Sequence, residues 1–420
     1  MATVLDDLRP SKPDSRRRRS LFVSRITRRG GGGVTAELAR RQHDFRHANT
    51  METRKIQQVS NGTFTVSLPR EWADGEGITA GTVVNLHTHL DGMLVIQAPE
   101  CEDDASMQFT VTVDGGDGDG GGGDGGDDSA GDGLEQTLRA AYAAGSKQVV
   151  VEADGTFDAA QRQAVRRVAR NLVGVTITEE SDASVTVRNV LDANEVSIRQ
   201  SVRQLQFVAV SMHRDATAAL TGAAPLDGFA ERDDRADRLF AMVDRHFTRG
   251  LDRLDEVDAL GETRPELFRL HTAARELERV ADQAERIAAV ASAVPDPLPP
   301  AVADEVSELA EVVPEALDDA VQVALDGEDP DAAREALSAR DRVREVVGKV
   351  ERRLFEEADP DVDVDHRFAH ALHALERTAE HVGNVAEVGL RTAVRTHNMD
   401  ERPTRENRSE SESAEHSQRA

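Results

Sequence analysis

LERVADQAERIA at residues 277–288 and LERTAEHVGNVAE at residues 375–387 are two versions of one helical phrase, 98 residues apart. Around the first, Leu270, Ala274, Leu277, Ala281, Ala284, Ile287 and Ala291 recur every three or four positions and draw one apolar stripe down a helix. Around the second, Leu372, Leu375, Ala379, Val382, Val385 and Val388 do the same. The helical period extends over six segments, 194–222, 230–259, 264–292, 301–326, 330–357 and 366–396. Glycine and proline interrupt it at 222–225, 261–265, 295–300 and 327–330, and an acidic stretch does so at 359–365. The segments form two sets of three that match at a spacing of about 100 residues. That is an internal duplication, and it predicts an all-α domain of two three-helix bundles.

Beside each stripe runs a row of carboxylates. Glu278 and Asp282 lie four residues apart and so share a face, and Glu376 and Glu380 repeat the spacing, with Asn384 one turn further on. Such pairs repel unless a cation sits between them. An arginine from a neighbouring helix would serve, and so would a bound hard cation.

Both phrases resemble the repeated signature of the PhoU family, approximately L-E-R-x-x-D-x-x-x-N-I-A. The segment ERDDRADRLFAMV at 231–243 is similar to that family's acidic second helix, with Asp233 and Asp237 again four apart. The resemblance covers about half the chain. It implies two three-helix bundles without catalytic activity, a role in phosphate homeostasis, and docking on a phosphate ABC transporter ATPase or a signalling kinase. It also implies a divalent or iron-type metal ion at Asp233, Asp237, Glu278, Asp282, Glu376 and Glu380. The chain departs from the pattern at Arg286, where the family has Asn, and at Glu380, where it has Asp. Asp341 and Glu345 only loosely echo the Asp233 pair.

Ahead of the helices, residues 134–190 read as a small α/β domain: a helix at 134–144, the strand KQVVVEA, a helix at 157–172, and the strands VTITEE and SVTVRNV. It holds no glycine-rich phosphate loop, nucleophile elbow or His–Glu zinc motif, so an enzyme is not expected. His246, His271, His373 and His381 are scattered, and His381 reads as a surface replacement. Residues 101–133 read as a flexible linker, because DGGDGDGGGGDGGDDSAGDG at 114–133 cannot bury apolar surface.

Residues 51–100 read as short strands with hairpin signals at Asn61-Gly62 and Asp91-Gly92. In TFTVSLP, Phe64, Val66 and Leu68 alternate with Thr63, Thr65 and Ser67. So few apolar side chains make a poor core for one chain alone, which argues for obligate dimerisation. The stretch TRKIQQVSNGTFTVSLPREWADGEGITAGTVVNLHTHLDGMLVIQ resembles the AbrB/SpoVT family. The family implies a small all-β swapped-hairpin barrel, built by two interleaved chains, that binds double-stranded DNA. The contacts carried over are Arg54, Lys55 and Arg70, and Trp72 reads as an anchor of the core or interface. The bland reading of Arg54 and Lys55 is a charged strand edge that blocks aggregation.

The net charge of −27 combines acidic residues with arginine almost to the exclusion of lysine, the surface of a protein from a salt-loaded cytoplasm. Residues 1–50 run against that trend. Their RRRR at 16–19 is followed at once by further arginines rather than an apolar region, so export is not expected. They read either as a disordered basic tail or as a stretch ahead of a start at Met51, and residues 397–420 read as a disordered tail. The single cysteine, Cys101, excludes an internal disulfide and a cysteine-based metal cage. The expectation is a multidomain cytoplasmic regulator: a DNA-binding β-domain, a tether, a small α/β domain and a duplicated helical sensor. Sequestration of the head suits the flexible tether better than a lever arm does.

Overall fold

The computed structural model describes residues 23–28, 53–59, 62–88, 94–98, 108–115, 128–226, 228–294, 298, 300–327, 329–356 and 362–400. The N-terminal β-region consists of β2 (Gln57–Gln58) and β3 (Phe64–Thr65), a short helix α1 (Arg70–Gly75), and β4 (Asn85–Thr88) and β5 (Leu94–Gln97). β2 pairs antiparallel with β3, and β4 with β5. The turn beside β3 uses Gly62 at φ +82°, a left-handed conformation that suits a residue without a Cβ. Asn61 and Asp91-Gly92 lie outside the described residues. Among the described residues the single chain makes two separate ribbons and no closed barrel, and the swapped-hairpin barrel expected would need the strands of a second chain. The physical reason is visible in the burial. No described residue from 53 to 97 is buried, so the ribbons share no core that would close them.

The α/β domain is built on a five-stranded sheet. It contains β1 (Val23–Arg28), β6 (Gln108–Asp114), β7 (Gln148–Asp154), β8 (Val175–Glu180) and β9 (Ser184–Asn189), in the order β1-β6-β7-β9-β8. β6 and β7 run parallel, joined by the crossover helix α2 (Asp128–Ala143), and the other pairings are antiparallel. Helix α3 (Ala159–Asn171) packs on α2 and opens on a capping box, in which Asp158 accepts from the Gln161 amide and Gln161 accepts in return from the Asp158 amide. Val111, Val113, Leu138, Val151, Val165 and Val187 lie in its core.

Two sequence boundaries shift here. β6 and the start of α2 both fall inside the stretch read as a linker at 101–133. QFTVTVD alternates Val111 and Val113 into the core, a strand pattern overshadowed by the Gly/Asp run beside it. β1 falls inside the basic stretch 1–50, where it extends the sheet edge next to β6.

The helical module comprises α4 (Ile198–Leu220), α5 (Phe229–Asp252), α6 (Leu254–Leu260), α7 (Arg264–Ala293), α8 (Pro300–Asp326), α9 (Pro330–Glu356) and α10 (Val362–Asp400). The predicted segment 230–259 is two helices, because Arg253 adopts an extended conformation (φ −123°, ψ 120°) that ends α5 and starts α6. α4, α5 and α7 form one bundle, and α8, α9 and α10 the other. They are not separate bodies. α7 packs along α10 and α4 against α8, and one continuous core of Leu, Val and Ala side chains runs through both. α7 is held at its start by Thr263 and Glu266, a second capping box, with Pro265 in the first turn. No helix among the described residues is long and apolar enough to cross a membrane.

Candidate functional site

The duplicated helices bring the two carboxylate rows to corresponding places but give them different partners. In the second bundle Glu376 and Glu380 project from α10 toward α9, where Arg344 donates Nε to Glu376 (3.2 Å) and an Nη to Glu380 (3.1 Å). Arg377 also pairs with Glu380. These bonds raise the pKa of Arg344. The arginine alternative is therefore realised in this copy. The loosely matching Asp341 and Glu345 are engaged too, by Arg340 (3.0 Å) and Lys349 (2.7 Å). A cation at Glu376 and Glu380 would have to displace a guanidinium already held by both carboxylates.

The first bundle has no such clamp. Asp233 and Asp237 on α5 face Glu278 and Asp282 on α7, all four half-buried, and none takes a hydrogen bond or salt bridge among the described residues. Burial, then the charge of Asp282 and Asp237, pushes Glu278 up to about 7, although Arg279 and Arg275 pull the other way. Burial, then Glu285, Asp237, Asp282 and Asp234, pushes Asp233 up to about 6. Asp237 and Asp282 are raised for the same reasons, opposed by Arg139 and by Arg286 respectively. The row is a set of mutually repelling carboxylates that take up protons near neutral pH. Among the described residues no three metal-ligating side chains converge closely enough to hold a metal ion as they stand. The donor chemistry of four oxygen ligands suits a hard cation, but the arrangement would have to close around it. Glu285, which helps to raise Asp233, was not singled out in the sequence. Its position three residues after Asp282 is the one signal that could have found it.

A buried polar link joins the two bundles, and nothing in the helical period of either phrase signals it. Glu276 on α7 accepts from Asn384 (2.8 Å), lies 2.8 Å from His381 Nδ1, and accepts from Arg279 (3.1 Å). His381 is 3% exposed and Glu276 6%, so His381 is an interior residue rather than the surface replacement expected. Asn384 thus serves the contact between bundles rather than extending the Glu376 row. Because α7 and α10 meet face to face, a residue one stripe away from the carboxylates is interior, and the period of one helix does not reveal that.

At the other end of the chain, Arg54, Lys55 and Arg70 are exposed. Arg70 stands 3.4 Å from Asp74 one turn along α1. Trp72 is half-buried. Ile56, Phe64, Val66, Val83, Leu86 and Leu94 are all exposed, an apolar surface that water covers in the single chain. A polar contact joins this region to the helices: His87 Nδ1 lies 2.7 Å from the Asp258 carboxylate on α6.

Residues 202–291 and 306–389 each match the PhoU domain family, one match per bundle. The chain is also similar to the crystal structure of PhoU from Pseudomonas aeruginosa, at 20% identity and a TM-score of 0.37, over 47% of this chain and 96% of that one. No curated protein matches the chain.

Proposed function

We propose that this protein is a regulator of phosphate uptake and homeostasis, not an enzyme. In this reading the duplicated helical module is the sensing or docking half and the β-region a dimeric DNA-binding head. The observation that carries it is the pair of PhoU domain matches, one on each bundle of the duplication. The head's exposed apolar surface, from Ile56 to Leu94, supports homodimerisation by interleaved hairpins, since a second copy would bury what one chain leaves in water. Exposed Arg54 and Lys55 at its start, with the exposed Arg70 on α1, supply the charge for phosphate contacts on double-stranded DNA. At molar salt the Debye length is about 3 Å, so specificity would lean on base edges and DNA shape rather than counterion release. The contact of His87 with Asp258 supports sequestration of the head against the helical module.

A divalent or iron-type cation, where the protein takes one, belongs to Asp233, Asp237, Glu278 and Asp282. Glu376 and Glu380 are weaker candidates for that role, since a cation there would have to displace Arg344. The cation would supply the positive charge that the first row lacks.

The test is a genome-wide DNA pull-down with the full chain in molar potassium chloride, beside an Arg54→Ala/Lys55→Ala variant. Enrichment near phosphate-transport genes that the variant loses is the expected result. No enrichment by either form would overturn the DNA-binding half. The reading would then move to an adaptor that docks on a phosphate transporter ATPase or its signalling kinase.

A further inference from the structure

A cavity of about 580 Å³ opens where one end of the central sheet meets the break between α5 and α6. In a chain of net charge −27 its wall is basic: Lys147, Arg188, Arg245, Arg249 and Arg253 line it. Among the described residues three carboxylates stand against them, Asp192, Asp255 and Glu256. Two of the carboxylates are engaged within the wall. Glu256 accepts from Arg249 (2.8 Å) and lies 2.6 Å from His246 Nδ1, and Asp255 accepts from Arg253 (2.7 Å). Asp192 accepts from the amide of Asn194 (3.0 Å) and so caps the turn after β9.

Arg245 is the telling residue. It is 3% exposed, yet among the described residues it has no carboxylate within salt-bridge distance. Its guanidinium reaches only the carbonyls of Tyr142 (2.7 Å) and Gly145 (3.3 Å) and lies over the Tyr142 ring. Buried charges in folded proteins are ordinarily paired, because desolvation without a counter-ion is costly. Next to it, His246 is 2% exposed and its Nε2 has no hydrogen-bond partner. A buried guanidinium that only carbonyls and a ring face contact directly and a buried ring nitrogen without a partner, side by side in one cavity wall, are what an absent anionic ligand leaves behind.

We infer that this cavity binds a phosphate-bearing small molecule, whose phosphate group is the counter-ion of Arg245 and is approached also by Lys147 and Arg188. A phosphate monoester carries close to two negative charges and three acceptor oxygens at neutral pH, so one group can meet the buried guanidinium and a neighbouring donor together. The volume falls within the range of organic ligand sites, about 300–1,000 Å³, and exceeds what inorganic phosphate alone fills. The site joins the α/β domain to the first bundle, since its wall is drawn from the ends of β7 and β9 on one side and from α5 and α6 on the other. The inference is independent of whether the β-region binds DNA.

The test is titration calorimetry of the full chain with ATP, AMP, orthophosphate and, as the carboxylate control, malate, at about 0.15 M salt. Arg188→Ala and the double variant Lys147→Ala/Arg188→Ala are compared with the parent, with circular dichroism melting to show that both are folded. Arg188 is exposed, so its removal leaves the buried wall intact. The expected result is that a nucleotide binds more tightly than orthophosphate and that the double variant loses about tenfold, or about 1.4 kcal/mol. Orthophosphate binding as tightly as AMP, with the same loss in the variant, would support the site with free phosphate as its source. Absence of heat with any phosphate would overturn the proposal. So would binding that neither variant weakens, or malate binding as tightly as the phosphates.

Discussion

Replacing Glu278 with glutamine should stabilise the protein above neutral pH and do nothing near pH 4. Glu278 is pushed from an ordinary 4.5 to about 7 by burial and by the neighbouring charges of Asp282 and Asp237. The folded pKa lies above the unfolded one, so folding favours the protonated form. The stability this confers is complete below about pH 4.5 and drains away as the pH rises to about 7. Above that, the folded protein carries an ionised carboxylate that its surroundings disfavour. A tenfold change in proton affinity corresponds to about 1.4 kcal/mol, and solvent screening at a half-buried site reduces the whole effect to about 1–2 kcal/mol. Glutamine reproduces the shape and hydrogen-bonding size of the neutral acid, so it should recover that amount at pH 8. For a module of this size the gain is a rise of roughly 2–8 °C in Tm. The assay is thermal unfolding followed by circular dichroism at pH 4, 6 and 8 in chelator-treated buffer. A Glu278→Gln protein that melts lower than the parent at pH 8, or that gains as much at pH 4 as at pH 8, would refute the reasoning. Manganese provides a second arm. If the first row takes a cation, the parent gains Tm on addition of Mn²⁺ and the variant gains less.

The second row should behave oppositely: Glu380→Gln removes exposed pairs with Arg344 and Arg377, so it should cost about 0–1 kcal/mol and stabilise at no pH, as the same melts would read. Glu276→Ala strips His381 and Asn384 of their shared partner in the seam between bundles and should lower stability by about 2–3 kcal/mol in urea unfolding. Gly145→Ala should cost about 1–3 kcal/mol, because Gly145 sits at φ +87° and a Cβ there would lie 2.7 Å from Cγ of Arg249. If the β-region dimerises as proposed, Phe64→Asp with Leu86→Asp should lower the mass seen in light scattering to that of a single chain while leaving helix content unchanged, since both side chains are exposed in the single chain.

The helices were legible because their signals are local. Thr263, Pro265 and Glu266 announce the start of α7, and Gly261 the end of α6, within a few residues of sequence. The break at Arg253 was not, because nothing in RGLDRLDEV forbids a continuous helix. What separates α5 from α6 is tertiary: Gly250 lies where a Cβ would meet Leu267 at 3.0 Å, and Glu256 turns inward to His246 and Arg249. β6 was missed for a different reason. Its seven residues alternate cleanly, but a strand's value depends on the neighbour it pairs with, and β7 lies on the far side of a Gly/Asp run and a helix. The acidic rows were legible as rows. Their partners were not, since Arg344 precedes Glu376 by 32 residues and only the antiparallel packing of α9 on α10 brings them together.

That difference between the rows bears on what the duplication can do. Spacing left two ways to stabilise a pair of carboxylates, an arginine or a cation from solution, and the two copies have diverged along that choice. In the second copy the counter-charge is covalent. Arg344 is present at every pH and ionic strength, so Glu376 and Glu380 are poor reporters of solution conditions. In the first copy the counter-charge must be a proton or an ion, because no arginine among the described residues reaches into the row to form a salt bridge. Its charge state therefore changes between about pH 6 and 7, where Asp233 and Glu278 titrate. Both states act on α7, the helix that also carries Glu276 and hence the link to His381 and Asn384. The first bundle is thus the half whose charge follows the solution, and the second is the fixed half against which it packs.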